Sequence, residues 1–179
     1  MQYTKLGNTD IEVSKLCIGC MSFGKAGTMH DWTLNEEKSE EIVKRALSLG
    51  INFFDTANGY SEGTSEEYLG KAIKNNVSRD KVVIASKVYF NEGRLSKKAI
   101  QREIDGTLSR LGTEYLDLYI IHRFDYDTPI EETMETLDGL IKRNNIDEAV
   151  ADTQPELSES QQKVCRNNCR QSVPAQWRI

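Results

Sequence analysis

Four short apolar runs are each followed by a segment with helical periodicity, and this alternation restricts the fold more than any other feature of the sequence. The runs are KLCIGCM (15–21), INFFDT (51–56), KVVIAS (81–86) and YLDLYII (115–121). Runs of this length, rich in β-branched and aromatic residues, read as buried strands. The segments between them carry helix starts. Thr33 with Glu36, and Thr64 with Glu67, have the spacing of a capping box. Ser96 stands ahead of the apolar face Ile100, Ile104, Leu108 and Leu111. Thr128, Pro129 and Glu131 open the segment that carries Met134, Leu137 and Ile141, with proline at the first helical position. Gly50 closes the first helix.

Alternating strands and helices predict parallel strands joined by right-handed crossovers. An open doubly wound sheet and a barrel both satisfy that rule. A dinucleotide-binding sheet carries G-x-G-x-x-G after its first strand, and CIGCMSFG does not match it. The opening YTKLGNTDIEV reads as a hairpin able to cap one end of a barrel. The expectation is therefore an α/β, TIM-type barrel, incomplete, with about four β/α units preceded by that hairpin. The charged stretches NEEKSEEIVKR and SEEYLGKAIK are expected to be solvated helix faces.

A formal net charge of -5 argues against a nucleic-acid partner, which calls for a basic stripe. No stretch approaches a membrane span and the N-terminus lacks a signal-peptide core, so a cytoplasmic protein is expected. The cysteines fall in two close pairs, Cys17 with Cys20 and Cys165 with Cys169. Cys17 and Cys20 sit in a strand, where residues three apart face opposite ways. Buried or free thiols are expected there, and no metal.

The strand ends carry the chemistry. The second strand ends at Asp55 with Tyr60 in the loop beyond, the third at Lys87 and the fourth at His122. In parallel barrels the active site gathers at the C-terminal rim, so these residues are expected to converge. Each alone has an ordinary reading as a solvated, capping or structural group; together they suit proton donation to a carbonyl. A free tyrosine, with a pKa of about 10, is a poor acid near neutrality, and a nearby lysine cation makes it a better one. Asp55 would hold Lys87 in place and charged, and His122 would orient the substrate oxygen. Schiff-base chemistry at Lys87 is an alternative that the same carboxylate opposes, because it keeps the amine protonated.

GINFFDTANGYSEGTSEEYLGKAI, VVIASK and YLDLYIIHRFDYDTPIEETMETL closely resemble the aldo-keto reductases of the bacterial and fungal type. The resemblance runs from about residue 2 to residue 143. It implies a (β/α)₈ barrel that transfers hydride from NADPH to an aldehyde or ketone. It places the family's tetrad on Asp55, Tyr60, Lys87 and His122, with Tyr60 as general acid. It also implies that Met21, Ser22 and Asp55 lie against the cofactor, and that His30 and Trp32 lie in a loop bordering the substrate cleft, where a surface role is an equal reading.

The resemblance is to an N-terminal half, truncated or internally deleted. A full barrel has eight strands, and only four are legible. The domain reading is a half barrel over 1–145 and an atypical polar tail over 146–179, disordered or weakly helical. Residues 151–179 hold five of the seven glutamines and nothing that alternates like a strand. On the family pattern, the residues that grip most of the cofactor lie in the other half. The functional expectation is therefore an NADPH-dependent oxidoreductase acting on a small aldehyde or ketone. The alternative is a non-catalytic remnant or interaction protein that keeps half the barrel. A homodimer is one way to cover the open half barrel.

Overall fold

The computed structural model describes residues 1–143 and 145–151. The predicted hairpin forms from β1 (Tyr3–Lys5) and β2 (Glu12–Ser14), paired antiparallel. Five parallel strands follow: β3 (Cys17–Gly19), β4 (Phe53–Asp55), β5 (Val83–Val88), β6 (Leu116–Ile121) and β7 (Ile146–Ala151). Between them run α1 (Glu36–Ser48), α2 (Thr64–Asn76), α3 (Lys97–Leu111) and α4 (Ile130–Lys142).

Each strand pairs with the next in sequence, in the order β3-β4-β5-β6-β7. A doubly wound sheet reverses its strand order at a switch point, and this one never does. Sequential order is the arrangement of a (β/α) barrel, here an incomplete one. The hairpin docks at the N-terminal end of the strands. The Tyr3 hydroxyl donates to the Gly50 carbonyl at 2.6 Å, and the Asn52 side chain bonds the Ser14 amide and the Glu12 carbonyl.

The core lies between the sheet and its helices. Phe54, Ile84, Val88, Tyr119 and Ile121 pack there with Val43, Leu69, Ile100, Ile104 and Leu137. Strand periodicity turns Asp55, Ala85 and Lys87 to the opposite face, and Asp55 and Ala85 are register partners. Gly70 sits where α2 crosses α3, and a Cβ there would fall on the Leu111 carbonyl oxygen.

The structure corrects the sequence reading in four places. Residues 146–151 are a fifth strand rather than the start of a polar tail, because the free edge of β6 pairs with their backbone from Leu116↔Ile146 to Ile121↔Ala151. Residues 152–179, expected to be disordered or weakly helical, lie outside the described residues. The first cap is Asn35, whose side chain accepts from the Lys38 amide at 3.0 Å, while the Thr33 hydroxyl turns back to the His30 carbonyl. Thr64 is the first residue of α2 rather than its cap, and Pro129 is the cap of α4 rather than its first helical residue. Ser96 holds the cap position of α3 without a side-chain bond, and Gly50 follows α1 with φ +80°.

The loop after β6 closes around Asp125. Its buried carboxylate accepts from the Thr128 hydroxyl, the Asp127 and Leu95 amides, and Arg94. Burial pushes this carboxyl up, but those donors together outweigh it and hold the group below the ordinary carboxylate range.

Two outcomes are expected from this geometry. Gly70→Ala forces α2 off α3 and costs about 1–3 kcal/mol, read as a lowered thermal midpoint with the same far-UV spectrum. Asp125→Asn costs about 1–3 kcal/mol at pH 7, where the carboxylate is ionised and fully bonded. A depressed folded-state pKa gives stability that is present above the ordinary carboxylate pKa and lost as pH falls through the folded value. Denaturation midpoints of the two proteins should therefore converge below about pH 4.

Candidate active site

The C-terminal ends of β3 to β6 form one rim, and the predicted residues meet there. Asp55 is the last residue of β4, and the parallel ladder continues beyond it. The Thr56 amide donates to the Ala85 carbonyl at 2.9 Å and the Asn58 amide to the Lys87 carbonyl at 3.1 Å. This extension carries the loop across β5, so that Tyr60 arrives over Lys87. The Asn58 side chain strengthens the crossing by donating to Asn91 and Glu103, each at 3.0 Å.

Lys87 is buried, and its ammonium donates to three oxygens. Asp55 Oδ1 lies at 2.5 Å, the Thr56 carbonyl at 2.9 Å and Tyr60 Oη at 3.1 Å. A buried ammonium is stable only when its donors are taken up, and here a carboxylate, a carbonyl and a phenol take all three. His122 follows β6, and its amide donates to the Val88 carbonyl. Its imidazole stands edge-on to the Tyr60 ring, with centroids 5.6 Å apart. The structure thus brings Asp55, Tyr60, Lys87 and His122 into one cluster.

The turn after Tyr60 is tight. Ser61 and Glu62 adopt φ of +48° and +55°, and Gly63 φ +89°. The Thr64 hydroxyl bonds the Ser61 carbonyl at 2.7 Å and accepts from the Lys25 amide at 2.9 Å. Gly24 packs under this turn, where a Cβ would strike the Ser61 side chain.

Met21 and Ser22 lie in a single 3₁₀ turn directly after β3, whose last residue Gly19 is the register partner of Asp55. Met21 is exposed and the Ser22 carbonyl accepts from the Leu34 amide. His30 and Trp32 stack on each other with centroids 4.5 Å apart, Trp32 exposed. Cys17 and Cys20 are free thiols, and among the described residues no cluster has the makings of a metal site. Burial pushes the Cys17 thiol up to about 12, and the Asp55 carboxylate adds to this. Burial and the same carboxylate push Cys20 well above its ordinary value. Cys165 and Cys169 lie outside the described residues.

Sequence reasoning missed several neighbours. Phe90 stands edge-on to His122 at 4.9 Å, under the Arg123 guanidinium, and rests on Gly59, where a Cβ would come within 2.9 Å of Phe90 Cβ. The adjacency NGY in the loop was the only signal for that contact. Glu66, read as part of a solvated helix face, is fully buried and paired with Arg110. The i, i+3, i+4 spacing of Leu69, Ala72 and Ile73 places Glu66 on the same inward face and could have shown it.

Residues 15–148 match the aldo/keto reductase family. Among similar curated proteins, versiconal hemiacetal acetate reductase from Aspergillus parasiticus is 39% identical, with 79% of this chain and 48% of that protein covered. The aldo-keto reductase YhdN of Bacillus subtilis is 40% identical, with 82% of this chain and 45% of that protein covered. A holo-form aldo-keto reductase from Bacillus halodurans superposes with a TM-score of 0.77 at 32% identity, covering 97% of this chain and 55% of the other. The chain spans about half the length of the curated relatives it matches. Among the described residues, no helix is long and apolar enough to cross a membrane. With the family match extending over most of its residues, the chain belongs to the aldo/keto reductase family.

Proposed function

We propose that the rim formed by Asp55, Tyr60, Lys87 and His122 reduces the carbonyl of a small aldehyde or ketone at the expense of NADPH, with Tyr60 as general acid. The observation that carries this reading is the Lys87 ammonium, held between Asp55 and the Tyr60 hydroxyl. Met21 is exposed in the turn beside this cluster, and on this reading it lies against the nicotinamide end of the cofactor. Met21, Ser22 and Asp55 are the residues assigned to it. When bound, the reduced nicotinamide supplies the hydride.

The chain's own residues handle the proton. As the carbonyl oxygen gains charge, Tyr60 Oη donates its proton to it. The phenolate left behind faces a cation 3.1 Å away, so charge separation at this step is offset where it arises. Asp55 and the Thr56 carbonyl keep that cation from turning away. On this reading the His122 imidazole, edge-on to Tyr60, bonds the same oxygen and fixes its direction. The same geometry opposes a Schiff-base role for Lys87, whose nitrogen is already engaged by Asp55, the Thr56 carbonyl and Tyr60.

One observation favours a second reading. Among the described residues, β3 and β7 each have a single strand neighbour, where a closed barrel gives every strand two. A protein that keeps this half of the barrel as a binding surface, without turnover, fits that observation.

NADPH titration, followed by fluorescence quenching, separates the two, and Tyr60→Phe kinetics then test the acid. The reductase reading expects saturable binding and a loss of at least about 100-fold in kcat for Tyr60→Phe, with cofactor affinity unchanged. A folded protein that binds no NADPH, or a Tyr60→Phe variant as active as the parent, sinks it.

A further inference from the structure

Tyr60 sits on a loop and Lys87 on a strand, so their contact depends on what registers the two elements. The first turn of α2 does this from the helix side of the sheet. Glu66 is fully buried there. Its Oε1 accepts from the Ser86 hydroxyl at 2.5 Å, and its Oε2 from Arg110 Nε at 2.6 Å. Ser86 immediately precedes Lys87 in β5 and faces the helices, as strand alternation requires. Beside Glu66, the Ser65 hydroxyl donates to the Cys20 carbonyl at 2.7 Å. That proton being used, the Thr56 hydroxyl must donate to Ser65 across 2.9 Å. Thr56 in turn supplies one of the three oxygens around Lys87.

Two adjacent residues of α2 therefore hold the ends of β3, β4 and β5, and α2 starts at the close of the turn that carries Tyr60. A buried ion pair such as Glu66–Arg110 is poorly explained by stability alone, because apolar residues of the same volume commonly serve as well. Fixing a register is a task that apolar packing does less sharply. We propose that Ser65 and Glu66 are positioning residues that set the Lys87–Tyr60 contact, Glu66 acting through Ser86 and Ser65 through Thr56. The inference rests on Tyr60 and Lys87 being the working pair of the reading above.

The test uses Lys87 itself as the reporter. The protein is acylated with acetic anhydride at neutral pH, and the Lys87 peptide is quantified by mass spectrometry against exposed Lys74 in the same sample. Ser86→Ala, which removes the tie to β5 and leaves the Glu66–Arg110 pair, should raise Lys87 labelling about fivefold or more through local loosening. Thr133→Val removes a buried bond from α4 to the Leu95 carbonyl and should leave Lys87 labelling unchanged. In aldehyde reduction, Ser86→Ala should lower kcat about tenfold with KM unchanged. A folded Ser86→Ala protein with parental Lys87 labelling overturns the proposal, as does equal labelling in Thr133→Val. Should Ser86→Ala fail to fold, Ser65→Ala is judged by the same labelling; if neither folds, the dipeptide is structural and the proposal fails. A parent protein without turnover counts against the reductase reading alone, and the labelling comparison still decides the positioning role.

Discussion

A lysine ammonium drawn into the interior of a sheet needs oxygen around it, and much of this half barrel is arranged to supply that oxygen. Stripping an ammonium of water costs several kcal/mol, recovered only when its donors meet well-placed acceptors. Lys87 meets Asp55 from the neighbouring strand, the Thr56 carbonyl from the extension of that strand, and Tyr60 from the loop beyond. All three acceptors lie within one short stretch of chain. The position of β4 against β5 therefore fixes the environment of the cation, and a slip of one residue would turn Asp55 to the helix side and leave the charge unpaired.

Sequential strand order turns this local requirement into a site. Because β3 to β6 lie side by side in chain order, their C-terminal ends deliver Met21–Ser22, Asp55, Lys87 and His122 to adjacent points on one rim. The helices behind the sheet are bound in with polar as well as apolar contacts. At the opposite end of the strands, the Asp117 carboxylate accepts from Arg79 and from the Ile84 amide, tying β6 to β5. The sheet is thus cross-linked at both ends, by Asp117 below and by Ser65 and Glu66 above, with an apolar layer between.

Much of this was legible in the sequence, for a plain reason. An apolar run that stops at an ionisable residue has a definite end, and a parallel fold puts all such ends together, so Asp55, Lys87 and His122 could be read without coordinates. Tyr60 was legible through its distance from Asp55 in the loop. The fifth strand was not, because IDEAVA interrupts its apolar residues with two acids, and the segment is a strand by virtue of the β6 edge beside it. The helix caps slipped by one or two positions because Thr33 and Asn35 are both competent caps, and only the backbone entering α1 selects Asn35. Glu66 was misread for a different reason: a charged residue in a charged stretch looks solvated until a partner elsewhere in the chain, here Arg110, is found beside it.

The turn after Tyr60 follows from the same constraint. Its loop must cross from β4 to reach Lys87 and then return at once to start α2, and the reversal is made in Ser61, Glu62 and Gly63 with positive φ throughout. For Ser61 and Glu62 this conformation costs about 1–2 kcal/mol each. The surroundings offset it with specific contacts rather than bulk. The Thr64 hydroxyl joins the Ser61 carbonyl to the Lys25 amide, and Gly24 leaves the space that the Ser61 side chain fills. A longer loop of ordinary backbone would avoid the strain, but Tyr60 would then sit on a freely moving segment, and a phenol that must stay 3.1 Å from a buried ammonium cannot be carried on one. The strain is the cost of holding the Tyr60 hydroxyl still, and it falls on the residues next to Tyr60 because the reversal has to happen there.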